Sequence, residues 1–136
     1  MTCPFCAGAG GELVWQDAWA RVVLAQEAGY PGFCRVIWQA HVKEMSDLAA
    51  DERRHLMDVV FAVETVLRRL IKPAKINLAS LGNQVPHLHW HVIPRFLDDP
   101  HYPMAVWAPP LRPAPVRLPP APRALRQALE DILQSS

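Results

Sequence analysis

The sequence predicts an α+β domain: an antiparallel sheet of about five strands, one long helix, and a Pro-rich C-terminal arm that ends in a short helix. Three observations lead there. Short segments rich in β-branched and aromatic residues flank a long central run. That run repeats its apolar positions at helical spacing. Beyond it, 10 of the chain's 14 prolines crowd between Pro94 and Pro122. With 136 residues, 51% of them hydrophobic, the chain suits one core, because single cores commonly close at about 100–150 residues.

Taken in order, the turn Cys3-Pro4-Phe5-Cys6 and the glycine-rich stretch 7–11 precede two short strands, Glu12–Gln16 and Ala20–Leu24. Asp17 and its neighbours turn between them and make a hairpin. A loop with Gly29, Pro31 and Gly32 leads to a third strand, Cys34–Trp38. Ser46 is a candidate N-cap for a helix over about residues 46–72. Its stripe is Leu56, Val59, Val60, Val63, Val66, Leu67 and Leu70, and it has to end before Pro73. Lys75 to Leu81 reads as a fourth strand, with Gly82-Asn83 as the turn into a fifth that runs antiparallel to it. The prolines from Pro94 onward argue against regular helix or central strand and predict a surface arm. Leu125, Leu129 and Ile132 then fall at helical spacing within 123–133.

The composition narrows the functional classes. Fourteen basic residues against 13 acidic ones leave a formal net charge of +1, so no global field attracts a nucleic acid polymer or an anionic membrane. An anionic ligand has to be held by local groups. No run of 20 apolar residues occurs, and MTCPFCAGAG lacks the basic flank and apolar centre of a signal peptide. The expectation is a soluble, cytoplasmic protein. Three cysteines, an odd number, fit a reducing compartment better than a disulfide framework.

The chemistry concentrates in Val85-Pro86-His87-Leu88-His89-Trp90-His91-Val92-Ile93-Pro94-Arg95. On a strand, residues two apart share a face, so His87, His89 and His91 are expected to form one row. Leu88, Trp90 and Val92 form the opposite row, facing the long helix. Single histidines are usually satisfied core or surface side chains, but a row of three contributes little packing and each buried ring needs partners. Two chemistries suit such a row. Neutral imidazoles ligate zinc, iron or copper. Alternatively, one imidazole nitrogen attacks phosphorus while its neighbours donate hydrogen bonds to the oxygens. Gly82-Asn83-Gln84, rich in donors at the mouth of the same strand, suits an anion better than a metal.

His87-Leu88-His89-Trp90-His91-Val92-Ile93, with Gly-Asn-Gln before it and Pro94-Arg95 after it, resembles the signature of the histidine triad, or HIT, superfamily of nucleotide hydrolases and nucleotidyl transferases. The hairpin, strand and long-helix order upstream is similar as well, and the likeness covers about residues 1–97. It implies a HIT-like domain over 1–97, with 98–136 forming the Pro-rich arm and short helix packed on the same domain. It further implies catalytic roles for His89, His91 and His87. His89 corresponds to the nucleophile that attacks the α-phosphorus of a nucleoside phosphoramidate or dinucleoside polyphosphate and forms a nucleotidyl-histidine intermediate. His91 corresponds to a contact with phosphate or leaving group. Asn83, Gln84 and Asn77 align with substrate-binding positions. A homodimer is the implied assembly. The chain departs from the family pattern at Phe33, where many relatives carry histidine after the glycine.

Read alone, Cys3-x-x-Cys6 is a redox pair, half of a zinc site or two unrelated thiols. The resemblance implies a structural zinc held by Cys3, Cys6, His41 and His87, with no organic cofactor. Cys34, in an apolar strand, reads as a buried inert thiol, His55 as a solvated helix residue, and His101 and Trp107 as arm residues, with surface packing favoured over base contact for Trp107. Two rival readings stay open: a metalloprotein whose histidine row is a catalytic metal site, and a nucleotide-sensing scaffold with little catalysis, which the Phe33 departure motivates.

Overall fold

In the computed structural model, which describes residues 2–134, the strands β1 (Glu12–Gln16), β2 (Ala20–Leu24), β3 (Cys34–Trp38), β4 (Lys75–Ala79) and β5 (His89–Arg95) form one antiparallel sheet in the order β1-β2-β3-β5-β4. The helices are α1 (Pro4–Ala7), α2 (Ala50–Ile71) and α3 (Pro122–Leu133). This is the α+β architecture that the periodicities predict. Asp17 makes the first hairpin by accepting from the backbone N–H groups of Trp19 (2.9 Å) and Ala20 (2.8 Å), an Asx-type turn.

The sheet's two faces do different work. One carries Val14, Ala20, Val22, Cys34, Val36, Trp38 and Val92 into the main core, where α2 supplies Leu56, Val59, Val60, Val63, Val66 and Leu67 and α3 supplies Leu125 and Leu129. Leu88 joins this core, and Trp90 packs against it half-buried. Burying such side chains contributes roughly 1.5–3 kcal/mol each, which fixes the register of β5, because a slip of one residue would exchange its two faces. The other face is left for His89, His91, Arg35 and Ile37, which pair across β3 and β5 as Arg35 with His91 and Ile37 with His89. Cys34, fully buried, has its thiol pushed up to about 12 by desolvation, consistent with an inert core residue.

Four details differ from the sequence reading. Ser46 does not cap the long helix: it lies inside a 3₁₀ turn, Met45–Asp47, closed by the Asp47 carboxylate on the Glu44 N–H (3.0 Å). The α-helix starts later, where the Glu52 carboxylate accepts from the Ala49 N–H (2.7 Å). The fourth strand stops at Ala79, and 80–88 form a loop rather than a tight hairpin turn, with Gly82 at φ 77°, a left-handed conformation that glycine adopts without strain. Pro94 lies in β5, an interior strand. It is tolerated because β3 pairs with β5 only as far as Val92, while the Arg95 carbonyl accepts from Ala74 on the β4 side. His55 is not simply solvated, since its Nε2 meets Asp17 Oδ2 at 2.6 Å across to the first hairpin.

The arm is fastened by a buried ion pair. Arg95, at the end of β5, donates from Nε to Asp99 Oδ2 (2.8 Å), from Nη1 to Asn77 Oδ1 (2.8 Å) and from Nη2 to the Met104 carbonyl (2.7 Å). Asp99 also accepts from the N–H groups of Phe96, His101 and Tyr102 and from the Tyr30 hydroxyl. Burial would raise the Asp99 carboxyl, but Arg95 and these N–H donors outweigh it and hold the group well below the usual carboxylate range. Arg117 lies over the Phe96 ring and pairs with Asp98, tying the far end of the arm to the same corner. Because the folded-state pKa of Asp99 is depressed, its contribution is complete above the unfolded value of about 3.9 and is lost as pH falls below it. Asp99→Asn is expected to cost about 3 kcal/mol by leaving Arg95 buried without its counter-charge, read by urea unfolding at pH 7. Between pH 5 and pH 3 the wild type should lose more stability than the variant, and parallel pH profiles would count against the role assigned to Asp99.

Candidate functional site

His87 stands just before the row on β5, on the side where Phe5 meets both it and His89. It precedes β5 in a bend, fully buried, and its ring turns toward the N-terminal cysteines. Its Nε2 lies 2.6 Å from the Trp38 carbonyl, which can only accept, so Nε2 carries the proton and Nδ1 holds the free lone pair. That Nδ1 is 3.3 Å from Cys3 Sγ, 3.5 Å from Cys6 Sγ and 3.2 Å from His41 Nδ1, and Cys6 Sγ is 3.4 Å from His41 Nδ1. All four donor atoms lie within 4.8 Å of one another. A tetrahedral ion about 2.3 Å from sulfur and about 2.0–2.1 Å from nitrogen separates its ligands by about 3.3–3.8 Å. The Cys3, Cys6, His41 and His87 set therefore fits a closed metal site, with the Trp38 carbonyl orienting a ligand histidine from outside.

Arg21, which the sequence reading did not single out, locks this N-terminal turn onto the sheet. Its guanidinium donates to the carbonyls of Phe5 (2.6 Å), Gly8 (3.1 Å) and Ala9 (2.8 Å) and to Gln39 Oε1 (2.7 Å). Against burial, which acts to raise it, the N–H groups of Cys6 and Phe5, the Cys6 side chain and the Arg21 charge bring the Cys3 thiol below its ordinary value, toward the thiolate that ligates metals. Gly10 follows at φ 87°, where an added Cβ would sit 2.8 Å from Ile37 and 2.9 Å from Phe5. The chain thus passes close to the sheet and presses Phe5 edge-on against His87 and His89, at 5.8 and 4.9 Å between ring centroids.

His89 and His91 share the open face of β5, with ring centroids 4.9 Å apart and planes nearly perpendicular. His89 Nδ1 is 2.6 Å from the main-chain carbonyl of His87. By the same logic Nδ1 carries the proton and Nε2 is the unprotonated nitrogen. Desolvation lowers the pKa of His89, against the bond to His87, and Arg35 lowers it further. Burial, His89 and Arg35 push His91 down to about 4. Both shifts favour the neutral ring. His91 Nδ1 is buried with no hydrogen-bond partner. The ring is flanked edge-on by Phe33 at 5.6 Å and Trp107 at 5.3 Å, so the phenyl ring at the departing position supplies packing and no hydrogen bond.

These residues floor an open cleft of about 290 Å³, walled by Asn83 and Gln84 from the 80–88 loop, Phe5 from the N-terminal turn, Glu27 and Arg35, and Trp107 from the arm. That volume is near the lower limit for small-ligand sites. The structure therefore brings His89, His91, Asn83 and Gln84 together. It does not bring Asn77 to them: Asn77 stands on β4 with its Oδ1 bonded to Arg95 and does not line the cleft. His101 is stacked on Tyr30 and bonded to its hydroxyl (2.5 Å). Trp107, expected in surface packing, instead rims the cleft with half its surface exposed. Arg35, Glu27 and Phe5 were missed because each reads as an ordinary strand, loop or turn residue until the sheet register sets it beside the histidines. Among the described residues no helix is long and apolar enough to cross a membrane.

Comparison with known proteins agrees with this geometry. No curated protein is significantly similar to the chain. Solved structures are. A histidine triad protein from Marinobacter aquaeolei VT8 superposes with a TM-score of 0.73 at 23% identity, covering 99% of this chain and 96% of the other. A Zn-bound histidine triad family protein from Mycobacterium smegmatis gives 0.68 at 21% identity, covering 100% and 99%. A hypothetical histidine triad nucleotide-binding protein from Sulfolobus tokodaii strain 7 gives 0.65 at 20% identity, covering 98% and 93%. These likenesses concern the fold. The HIT domain profile matches residues 9–98, which spans β1 through β5 and all the named cleft residues but Phe5 and Trp107, and the chain belongs to the HIT domain family.

Proposed function

We propose that this protein is a nucleotide-binding hydrolase or nucleotidyl transferase that acts at the α-phosphate of a nucleoside phosphoramidate or dinucleoside polyphosphate through a nucleotidyl intermediate on His89. The observation that carries the reading is the bond from His89 Nδ1 to the His87 carbonyl, which leaves Nε2 with its lone pair in a cleft walled by amide donors. Nε2 bonds to the α-phosphorus as the bond to the leaving group breaks, and the electron pair departs with that group. Water then displaces the imidazole and releases the nucleoside monophosphate. His91, neutral at pH 7, offers an N–H to a phosphate oxygen, and Asn83 and Gln84 hold the remaining oxygens. The nucleotide-binding description of the Sulfolobus tokodaii relative supports the ligand class.

We further propose that Cys3, Cys6, His41 and His87 hold a structural zinc ion, on the strength of their mutual spacing and of a Zn-bound relative with the same fold. A catalytic metal on the histidine row has less support. His87 faces the cysteines, and the ligand group found among the described residues excludes His89 and His91. The open outer edge of β4 and the exposed Phe61 and Leu70 of α2 support a homodimer.

His89→Ala is expected to lower hydrolysis of both adenosine 5′-phosphoramidate and a diadenosine polyphosphate by about 10³-fold or more, and His91→Ala by about 10²-fold. Mass spectrometry of quenched wild-type enzyme should find the nucleotidyl adduct on His89. Full activity in His89→Ala would instead favour the metal reading, and no turnover by the wild type the scaffold reading.

Purified protein is expected to carry about one equivalent of zinc, retained in His89→Ala and lost in Cys6→Ser together with several kcal/mol of stability, since a closed site contributes folding free energy directly. Metal analysis and thermal melting check this. Wild type that purifies without metal, or that melts unchanged after its metal is removed by a chelator, would remove the zinc role.

A further inference from the structure

Arg35 has no part in the chemistry assigned above, yet it stands beside it. It lies opposite His91 across β3 and β5 and is the only Lys or Arg among the described residues lining the cleft. Its side chain is held at one end, where Nη1 donates to the Gly10 carbonyl at 3.0 Å. Nη2 reaches Glu27 Oε1 at only 3.4 Å, longer than the roughly 2.7–2.9 Å of a good charge-assisted bond. Nε is buried and has no hydrogen-bond partner. A guanidinium offers five N–H donors in a planar fork suited to phosphate, and this one uses two of them, one poorly.

We propose that Arg35 binds the β-phosphate of the substrate, so that the cleft selects nucleotides whose leaving group is a polyphosphate over those that lose an amine or a carboxylate. The inference rests on the reading of His89 as nucleophile at the α-phosphate. When His89 Nε2 bonds to the α-phosphorus, the bond from that phosphorus to the bridging oxygen breaks and the electron pair stays on the oxygen. A polyphosphate then departs as an anion and needs no proton. Arg35, fixed in the sheet next to His91, neutralises the charge that develops there. An amine, by contrast, has to gain a proton as it leaves. His91 is poorly equipped to relay one, since its Nδ1 has no hydrogen-bond partner and its ring meets Phe33 and Trp107.

Glu27 is the obvious objection, because a carboxylate in the cleft repels phosphate. Its side chain is 49% exposed on the loop between β2 and β3, and its contact with Arg35 is long. A phosphate that takes two N–H donors in parallel displaces it at small cost. Glu27 thereby acts as a competitor for Arg35, so its removal should strengthen binding of a diphosphate, whose β-phosphate uses Arg35, more than that of a monophosphate, which does not.

The test is calorimetric binding of nucleoside mono- and diphosphates, run with the four common ribonucleosides, to wild type, Arg35→Gln, Arg35→Lys and Glu27→Gln, with circular dichroism to verify folding. A charge-assisted contact contributes about 1.5–3 kcal/mol, so the wild type should favour diphosphate over monophosphate by about 10-fold or more. That preference should fall about 10-fold in Arg35→Gln, recover in part in Arg35→Lys and rise in Glu27→Gln. The ratio of kcat/KM for diadenosine tetraphosphate to that for adenosine 5′-phosphoramidate should fall in Arg35→Gln by a similar factor. Equal binding of mono- and diphosphate by the wild type would overturn the assignment, as would an Arg35→Gln variant that weakens both alike. If Arg35→Gln misfolds, an unchanged preference in Glu27→Gln overturns it. Binding that follows the prediction with no His89 adduct would overturn only the nucleophile, and no nucleotide binding at all would overturn the reading of the whole cleft.

Discussion

The arrangement depends on His87, a residue whose side chain and main chain serve two different sites. Its Nε2–H bond to the Trp38 carbonyl points Nδ1 at Cys3, Cys6 and His41. Its own carbonyl takes the Nδ1 proton of His89. The first contact sets the four-donor cluster proposed to hold a metal and the second sets the tautomer of the ring next to it. Moving His87 would therefore disturb both, which explains why it sits fully buried in a bend anchored from two directions rather than on the strand with the other histidines. Main-chain pairing strengthens the anchor, since Trp38 N donates to the Leu88 carbonyl and Leu88 N to the Val42 carbonyl.

The cleft is assembled from pieces remote in sequence, each held by its own cation. Arg21 ties the N-terminal turn, and with it Phe5, to the sheet through three carbonyls. Arg95 ties the arm, and with it Trp107, through Asp99 and Met104. Both guanidinium groups are buried and both spend their donors on the chain itself. Such groups are costly to strand without partners, so each clamp is effectively all or none. Arg35 differs in keeping donors in reserve, and it differs in lying within the cleft.

Much of this was legible in the sequence, for physical reasons that can be named. The three early strands and the last helix have the boundaries that β-branched runs and Leu125, Leu129 and Ile132 imply, and the alternation of Leu88, Trp90 and Val92 assigns the core face of β5. Cys3, Cys6, His41 and His87 meet as the family resemblance implies. What was not legible depends on long-range register and local capping. Ser46 looks like a cap, but Asp47 and Glu52 capture the relevant N–H groups first. His87 continues the period-two pattern, yet it lies in the bend before β5 and its ring is turned to Cys3, Cys6 and His41. Asn77 has the right residue type on the right face, but Arg95 claims its oxygen. Pro94 reads as a strand breaker, and only the early end of β3 makes room for it. Trp107 reads as an arm residue until the Arg95–Asp99 pair folds the arm back over His91.

The bond to the His87 carbonyl places the His89 proton on Nδ1 and its lone pair on Nε2, and burial favours the neutral ring. Nitrogen NMR of protein labelled at histidine measures this directly, because protonated, hydrogen-bearing and lone-pair ring nitrogens resonate apart. At pH 7 the expected spectrum is that of a neutral His89 with a protonated Nδ1 and a bare Nε2. A His89 that is imidazolium at pH 7, or that carries its proton on Nε2, would contradict it.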